Sequence, residues 1–149
     1  MVIVAKHAGF CFGVKRAVET AKANAPCSTL GEIIHNRIAV QELEQNGVHA
    51  VASPMDVKSG TTCIIRSHGA GKDVYRILSE RNVRVVDATC PRVKAIHTIV
   101  SRIAREGRGI LVAGRRDHPE VEGILGHCEG NGFAVLTDAD VASVPPQEK

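Results

Sequence analysis

The sequence predicts an α/β protein in which βα units alternate and the sheets are mainly parallel. Short β-branched runs alternate along the chain with stretches in which apolar residues recur at helical spacing. Such an alternation packs helices on the faces of a parallel sheet. No repeat or low-complexity segment interrupts the pattern, and 149 residues with 44% hydrophobic content are enough to bury a sizeable core.

Six strands, with helices between them, are predicted in order along the chain. The strands are expected at residues 2–6, 28–31, 62–67, 83–87, 109–113 and 133–136. Apolar side chains recur at helical spacing in four stretches, which begin at Val14, Val74, Val93 and Val121. A further helix is expected from about residue 37 to residue 46, because Gly47 is typical of the position after a helix.

The chain is expected to divide near Cys90. Residues 1–90 form the predicted first α/β unit, and the strand at residues 2–6 belongs either to this unit or to a third unit outside the chain. Residues 91–149 form a second unit, which we expect to be incomplete because its proline-bearing tail adds no closing element. The sequence has no apolar run of membrane-spanning length and no signal-peptide pattern, so a cytoplasmic location is expected.

Composition and charge limit the classes of ligand that the chain is expected to bind. The net charge of +3 suits an anionic small molecule and is too weak and too scattered to favour nucleic acid. Aromatic residues make up 3% of the chain, which leaves little surface for stacking bases. The five cysteines include no CxxC pair and do not indicate a disulfide framework.

Five residues able to bind metal or anions follow successive predicted strands. They are Cys11, His35, His68, Cys90 and His118. Ligands of parallel α/β sheets bind at the carboxyl edge of the strands, where all five are expected to lie. Together they predict thiolate ligands beside anion-binding histidines.

Two prolines support this placement. Pro91 and Pro119 suit the first position of a helix, which puts Cys90 and His118 at or beside helix N-caps. The free N–H groups of a helix N-terminus favour a thiolate, the form that ligates metal, and also bind phosphate oxygens.

Five motifs occur in order along nearly the whole chain. They are GFCFGVKRA at residues 9–17, HN at 35–36, SHG at 67–69, DATCPRV at 87–93 and HPEVEG at 118–123. These motifs resemble those of the 4-hydroxy-3-methylbut-2-enyl diphosphate reductase family, also called the IspH or LytB family. The resemblance implies three related α/β units around a central [4Fe–4S] cluster held by three cysteines. It implies an oxidoreductase of the non-mevalonate isoprenoid pathway that removes the hydroxyl group of (E)-4-hydroxy-3-methylbut-2-enyl diphosphate, giving isopentenyl and dimethylallyl diphosphate.

The resemblance also implies roles for individual residues. Cys11 and Cys90 match two cluster ligands, and Glu120 matches a residue of the proton relay. The residues that match the diphosphate-binding histidines are His35, His68 and His118. The third cysteine ligand is expected beyond Lys149, and ferredoxin or flavodoxin is the expected electron donor.

Two alternatives stay open. The first is a non-redox zinc site held by Cys11, Cys90 and a histidine, although zinc ligand sets usually contain closely spaced pairs. The second is an inactive partial chain, or a module that binds diphosphate without redox activity. Bound metal distinguishes them, because an iron–sulfur protein contains iron and inorganic sulfide.

The other cysteines and histidines are expected to be structural. Cys63 lies within an apolar predicted strand, Cys27 lies before a strand at the opposite edge of the sheet, and Cys128 lies at the end of a helix. His97 continues an apolar stripe and is expected to be packed and hydrogen-bonded. Surface or loop positions are expected for His7, His49, His127 and Glu122.

Overall fold

Helices and strands alternate through the structure, a computed structural model that describes residues 1–6 and 8–146. The helices are α1 (Phe12–Ala23), α2 (Arg37–Gln45), α3 (Lys72–Glu80), α4 (Pro91–Arg105), α5 (Pro119–Leu125) and α6 (Asp138–Ala142). The strands are β1 (Cys27–Leu30), β2 (Val48–Val51), β3 (Thr62–Ile65), β4 (Arg84–Asp87), β5 (Ile110–Ala113) and β6 (Gly132–Val135), and a 3-10 helix spans Pro54–Asp56. The predicted α/β class with parallel sheets is confirmed.

The first sheet contains four parallel strands in the order β2-β1-β3-β4. Successive side chains of a strand point to opposite faces, so β3 contributes to two cores. Cys63 and Ile65 pack with Leu78 of α3, whereas Ile64 packs with Ala17 of α1 and Leu43 of α2. Because the four strands are parallel, the loops that follow them open at one edge of the sheet.

The second sheet contains the parallel strands β5 and β6. Ile110 and Val112 on one face of β5 pack against Val100 of α4 and Val121 of α5, whereas Leu111 on the other face is exposed. The change from the first sheet to the second occurs across α4. This change supports the division at Cys90, which stays a prediction.

The strand predicted at residues 2–6 is wrong for this chain. Residues 1–5 have no regular secondary structure, and the side chains of Val2, Ile3 and Val4 are exposed. A strand needs a hydrogen-bonding neighbour, and the described residues offer none to this segment. Conversely, β2 and α6 were not predicted, and β2 forms because β1 offers it a free edge.

No helix in the described ranges combines the length and the apolar character that crossing a membrane requires.

Two glycines allow α3, which packs on the first sheet, to contact the end of α5, which packs on the second sheet. Gly71 precedes α3, Gly126 follows α5, and the Lys72 amide donates a hydrogen bond to the Gly126 carbonyl at 3.4 Å. A Cβ on Gly71 would lie 3.1 Å from the Gly126 Cα, and a Cβ on Gly126 would run into the Gly71 Cα. The Lys72–Glu129 ion pair, at 2.7 Å, closes the same contact on its exposed side.

We expect Gly126→Ala to lower the free energy of unfolding by about 1–3 kcal/mol, the usual cost of overpacking a close contact. The backbone at Gly126 is already right-handed helical (φ −64°), so the loss comes from the contact and not from the backbone. Denaturant unfolding of this variant and of the exposed control Ser79→Ala measures the effect. Equal stability of the two variants would mean that the glycines do not pack together in solution.

Candidate functional site

Cys11 and Cys90 lie at the N-termini of two helices that meet. Cys11 is the N-cap of α1 and Cys90 is the N-cap of α4, and neither side chain forms a capping hydrogen bond. Both thiols are free, and they line one pocket of about 310 Å³ together with Phe12, Gly13, Pro91 and Arg92. The predicted N-cap position of Cys90 is confirmed.

Gly13 in the first turn of α1 allows the two helices to approach. A Cβ at this position would lie 2.9 Å from the Cys90 Sγ, which is closer than real contacts permit. Glycine therefore makes room for the Cys90 sulfur beside the helix whose N-cap is Cys11.

The turn that carries Cys90 is held by a polar network. Asp87 at the end of β4 accepts hydrogen bonds from the backbone amide and the hydroxyl of Thr89, and it pairs with Lys94 at 2.7 Å. Arg16 of α1 donates to the Thr89 carbonyl at 3.0 Å. Burial raises the pKa of Asp87, but the bonds from Lys94 and Thr89 outweigh it and hold that pKa below its usual value. The ionised carboxylate therefore fixes the turn between β4 and α4.

The three predicted histidines lie together at the edge where the strands end. The ring centroids of His35 and His68 are 5.8 Å apart, and those of His68 and His118 are 6.0 Å apart. His35 and His118 are exposed, whereas His68 between them is half-buried. The three rings thus form an arc with His68 at its centre.

Hydrogen bonding sets the tautomer of His118. This residue is the N-cap of α5, and its Nδ1 accepts a hydrogen bond of 3.2 Å from the Glu120 backbone amide. An accepting Nδ1 carries no proton, so the neutral ring has its N–H at Nε2. The donor of His118 consequently points away from its own helix.

His68 is favoured in its neutral form. Burial lowers its pKa most, the charge of Arg66 lowers it further, and Glu120 acts in the opposite direction. Its Nδ1 is buried without a hydrogen-bond partner in the described residues.

Sequence reasoning missed Arg66. Its guanidinium lies against Gly31, whose absent Cβ leaves the space that the guanidinium occupies. Burial lowers the pKa of Arg66, and the charges of Glu122 and Glu32 raise it. The only signal in the sequence was its position two residues before His68.

The remaining cysteines are core residues, as predicted. Cys27, Cys63 and Cys128 are all buried. Burial raises the pKa of Cys63 to about 11 and also raises the pKa values of Cys27 and Cys128. These thiols resist forming the thiolates that bind metal.

One prediction about the histidines needs correction. His97 is packed as expected, but its buried Nε2 has no hydrogen-bond partner in the described residues. His127 lies in the turn after α5, which agrees with the expected loop position, and its half-buried ring stacks on that of His97 with centroids 4.1 Å apart. His49 is exposed as predicted, and His7 lies outside the described residues.

Comparison with known proteins decides the family. The family model described as LytB protein matches residues 2–149. The chain belongs to the LytB family. The resemblance carried by the five motifs is therefore confirmed.

LytB relatives extend well beyond this chain. The 4-hydroxy-3-methylbut-2-enyl diphosphate reductases of Geobacter sp. (strain M21) and Aquifex aeolicus (strain VF5) are 45% and 42% identical to it, over 99% of this chain and 54% of their own length. The chain thus spans about half the length of the curated relatives it matches.

Two solved structures share the fold. One is (E)-4-hydroxy-3-methyl-but-2-enyl diphosphate reductase, the terminal enzyme of the non-mevalonate pathway, with a TM-score of 0.80 and 43% identity over 94% of this chain and 52% of that one. The other is E-1-hydroxy-2-methyl-but-2-enyl-4-diphosphate reductase from Plasmodium falciparum, with a TM-score of 0.87 and 30% identity over 94% of this chain and 46% of that one.

LytB membership implies an iron–sulfur cluster, and the cysteine pair fits part of its ligand set. The thiols of Cys11 and Cys90 are free of capping bonds and line one pocket, and Gly13 leaves the Cys90 sulfur uncovered. Within residues 1–6 and 8–146, no group of three or more His, Cys, Asp or Glu side chains is placed to hold a metal ion. The described residues therefore bring two thiols to one pocket, without a third metal-binding side chain placed beside them.

Proposed function

We propose that this chain forms about half of a LytB reductase that removes the hydroxyl group of (E)-4-hydroxy-3-methylbut-2-enyl diphosphate. The products are isopentenyl and dimethylallyl diphosphate, and the hydroxyl leaves as water after the uptake of two electrons and two protons. The observation that carries the proposal is the arc of His35, His68 and His118 at the edge of the sheet where the strands end. Family membership and the paired thiols of Cys11 and Cys90 support the redox part.

The histidine arc binds the diphosphate. Nε2 of His118 carries a proton, because Nδ1 accepts from the Glu120 amide, and this N–H can donate to a phosphate oxygen. Nδ1 of His68 is buried, which leaves Nε2 of that ring as the donor. His35 lies open on the other side of His68 and contributes a third donor. Rings whose centroids lie 5.8 and 6.0 Å apart can offer donors to oxygens of two linked phosphates.

Glu120 is the proposed proton carrier. It lies two residues after His118, in the first turn of α5, is partly exposed, and is near enough to His68 for its charge to act on the pKa of that ring. A carboxyl group beside the bound diphosphate can pass a proton to the substrate.

Cys11 and Cys90 are the proposed cluster ligands. A [4Fe–4S] cluster, when bound, supplies the electrons for the reduction. The network around Asp87 keeps the Cys90 turn fixed, and Gly13 keeps its sulfur accessible. A third cysteine is expected in the remainder of the protein. Ferredoxin or flavodoxin is the proposed electron donor, and the cytoplasm the proposed location.

We expect the chain without a cluster to bind inorganic pyrophosphate, and His68→Ala to weaken that binding by about 10- to 100-fold. Removing a hydrogen bond to a charged group costs about 1.5–3 kcal/mol, which corresponds to this range. Titration calorimetry of the unaltered chain, His68→Ala and His118→Ala measures the effect. His49→Ala is the matched control, because His49 is an exposed histidine on β2, away from the arc.

Binding that survives in both arc variants as well as in the control would remove the support for a diphosphate site. Binding lost only in the arc variants supports it.

A further inference from the structure

One buried ring lies where three parts of the candidate site meet. His97 belongs to α4, the helix whose N-cap is Cys90, and it is 6% exposed. It contacts the loop that carries His68 and the helix that begins at His118. No step of the proposed function uses this residue.

Two glycines make room for the ring. A Cβ on Gly69, which follows His68, would lie 2.6 Å from the Cε1 of His97. A Cβ on Gly123 of α5 would lie 3.4 Å from the Nε2 of His97 and 3.3 Å from the His68 carbonyl oxygen. The His97 ring therefore packs against both the His68 loop and α5, beside the point where Gly123 meets the His68 carbonyl, and its size limits how closely these segments pack.

His127 packs against the His97 ring. The two imidazoles stack with their planes 22° apart. Nε2 of His127 lies 3.1 Å from the carbonyl oxygen of Ala70, two residues after His68, and the Ser101 hydroxyl donates to the His127 carbonyl at 3.3 Å. His127 thus ties the ring and the end of α5 to the loop that bears His68.

The chemistry of the ring argues against a role in stability alone. Among residues 1–6 and 8–146, nothing pairs with the buried Nε2 of His97, and an unpaired buried polar atom destabilises a fold, whereas an apolar side chain of this size would not. Burial, followed by the charge of His127, lowers the pKa of His97 to about 4, and Asp87 opposes this shift. At neutral pH the ring is therefore an uncharged packing group that does not repel a protonated neighbour.

We propose that His97 is a positioning residue that sets the separation of the His68 and His118 rings and thereby the fit of the histidine arc to a diphosphate. The proposal rests on the diphosphate site proposed above. It predicts an effect on affinity that appears in fully folded protein, which a purely structural role does not produce.

The test compares pyrophosphate binding by variants that are folded. Titration calorimetry is carried out at a temperature where circular dichroism shows each variant to be native. We expect His97→Ala to weaken binding by about tenfold, because a misplaced group loses much of its contribution. His97→Phe, which retains a planar ring that can stack on His127, restores affinity to within about threefold of the unaltered chain. His49→Ala serves as the exposed-histidine control.

A second variant and a second measurement guard against a failure of His97→Ala to fold. Gly123→Ala inserts a methyl group between the His68 carbonyl and His97 and should also weaken binding. NMR titration reports the pKa of His68, which should rise toward 6.5 in His97→Ala and stay lowered in His97→Phe.

The outcomes separate the two proposals. A native His97→Ala or Gly123→Ala with unchanged affinity and an unchanged His68 pKa overturns the positioning role and leaves the diphosphate site standing. An unaltered chain that does not bind pyrophosphate overturns the diphosphate site, and the positioning role with it.

Discussion

Cys90→Ser is expected to lose most of the iron and inorganic sulfide that the chain acquires on anaerobic reconstitution in the presence of a small thiol. The part of the chain that the structure describes supplies two of the proposed cluster ligands, so the loss of one leaves a single cysteine to hold the cluster. A serine hydroxyl stays protonated near neutral pH and is a poor substitute for a thiolate. Cys11→Ser is expected to have the same effect, because both residues line one pocket.

Two further variants sharpen this experiment. Gly13→Ala keeps both thiols but places a Cβ 2.9 Å from the Cys90 sulfur, so it should also reduce iron retention. Cys27→Ala is the matched control, since this buried cysteine lies at the start of β1, away from the edge that carries the site. Iron and sulfide are measured per chain, together with the visible absorption of the cluster.

The pattern of loss decides between the proposed function and its alternatives. Equal iron content in Cys90→Ser and the unaltered chain contradicts the ligand assignment. Stoichiometric zinc in colourless protein favours the zinc site. An unaltered chain that takes up no metal favours a partial chain that depends on the remainder of the protein for its cluster.

The helix N-termini of the site were predictable from local signals. Proline is favoured at the first position of a helix, and Pro91 and Pro119 occupy that position in α4 and α5. The placement of Cys90 and His118 at the N-caps follows directly. The central strand β3 was predicted within two residues because its apolar run is buried on both faces.

The ends of the sheets were not predictable in the same way. Residues 2–6 have the composition of a strand, but pairing depends on a neighbour that sequence pattern cannot supply. β2 shows the opposite case, a strand without a strong sequence signal. Val48–Val51 is short and half-exposed, and it becomes a strand because the edge of β1 is available. Strand formation at an edge is a tertiary event, and local pattern carries little information about it.

The contacts across the site could not be predicted from local sequence pattern either. The Arg66 guanidinium occupies space left by Gly31, and the His97 ring occupies space left by Gly69 and Gly123. Each contact joins residues that are more than 25 positions apart. The glycines were visible in the sequence, but the side chain that fills the space beside each of them is determined by packing.

The free energy of unfolding is expected to fall as the pH is lowered from about 6.5 to about 4. Burial holds the pKa of His97 at about 4, compared with 6.5 for an unperturbed histidine. Between these two values the unfolded chain binds a proton that the folded chain excludes, so acid favours unfolding, with a slope of at most about 1.4 kcal/mol per pH unit from this one group. Above pH 6.5 neither state holds the proton and the contribution is constant. The lowered pKa values of His68 and His127 act in the same direction just below pH 6.5.

His97→Phe should flatten this dependence, because it removes the group that the fold keeps neutral. Denaturant unfolding at pH 7, 6 and 5 measures the slope in the unaltered chain, in this variant and in the exposed control His49→Gln. The range from pH 7 to pH 5 excludes the titration of Asp87. The ionised Asp87 carboxylate stabilises the folded chain, and this contribution is lost only as the pH falls below 3.8. A slope that is as steep in His97→Phe as in the control would show that folding does not lower the pKa of His97 below that of an unperturbed histidine. The ring would then be charged at pH 5 and would not be the neutral group that its burial against the His68 loop and α5 requires.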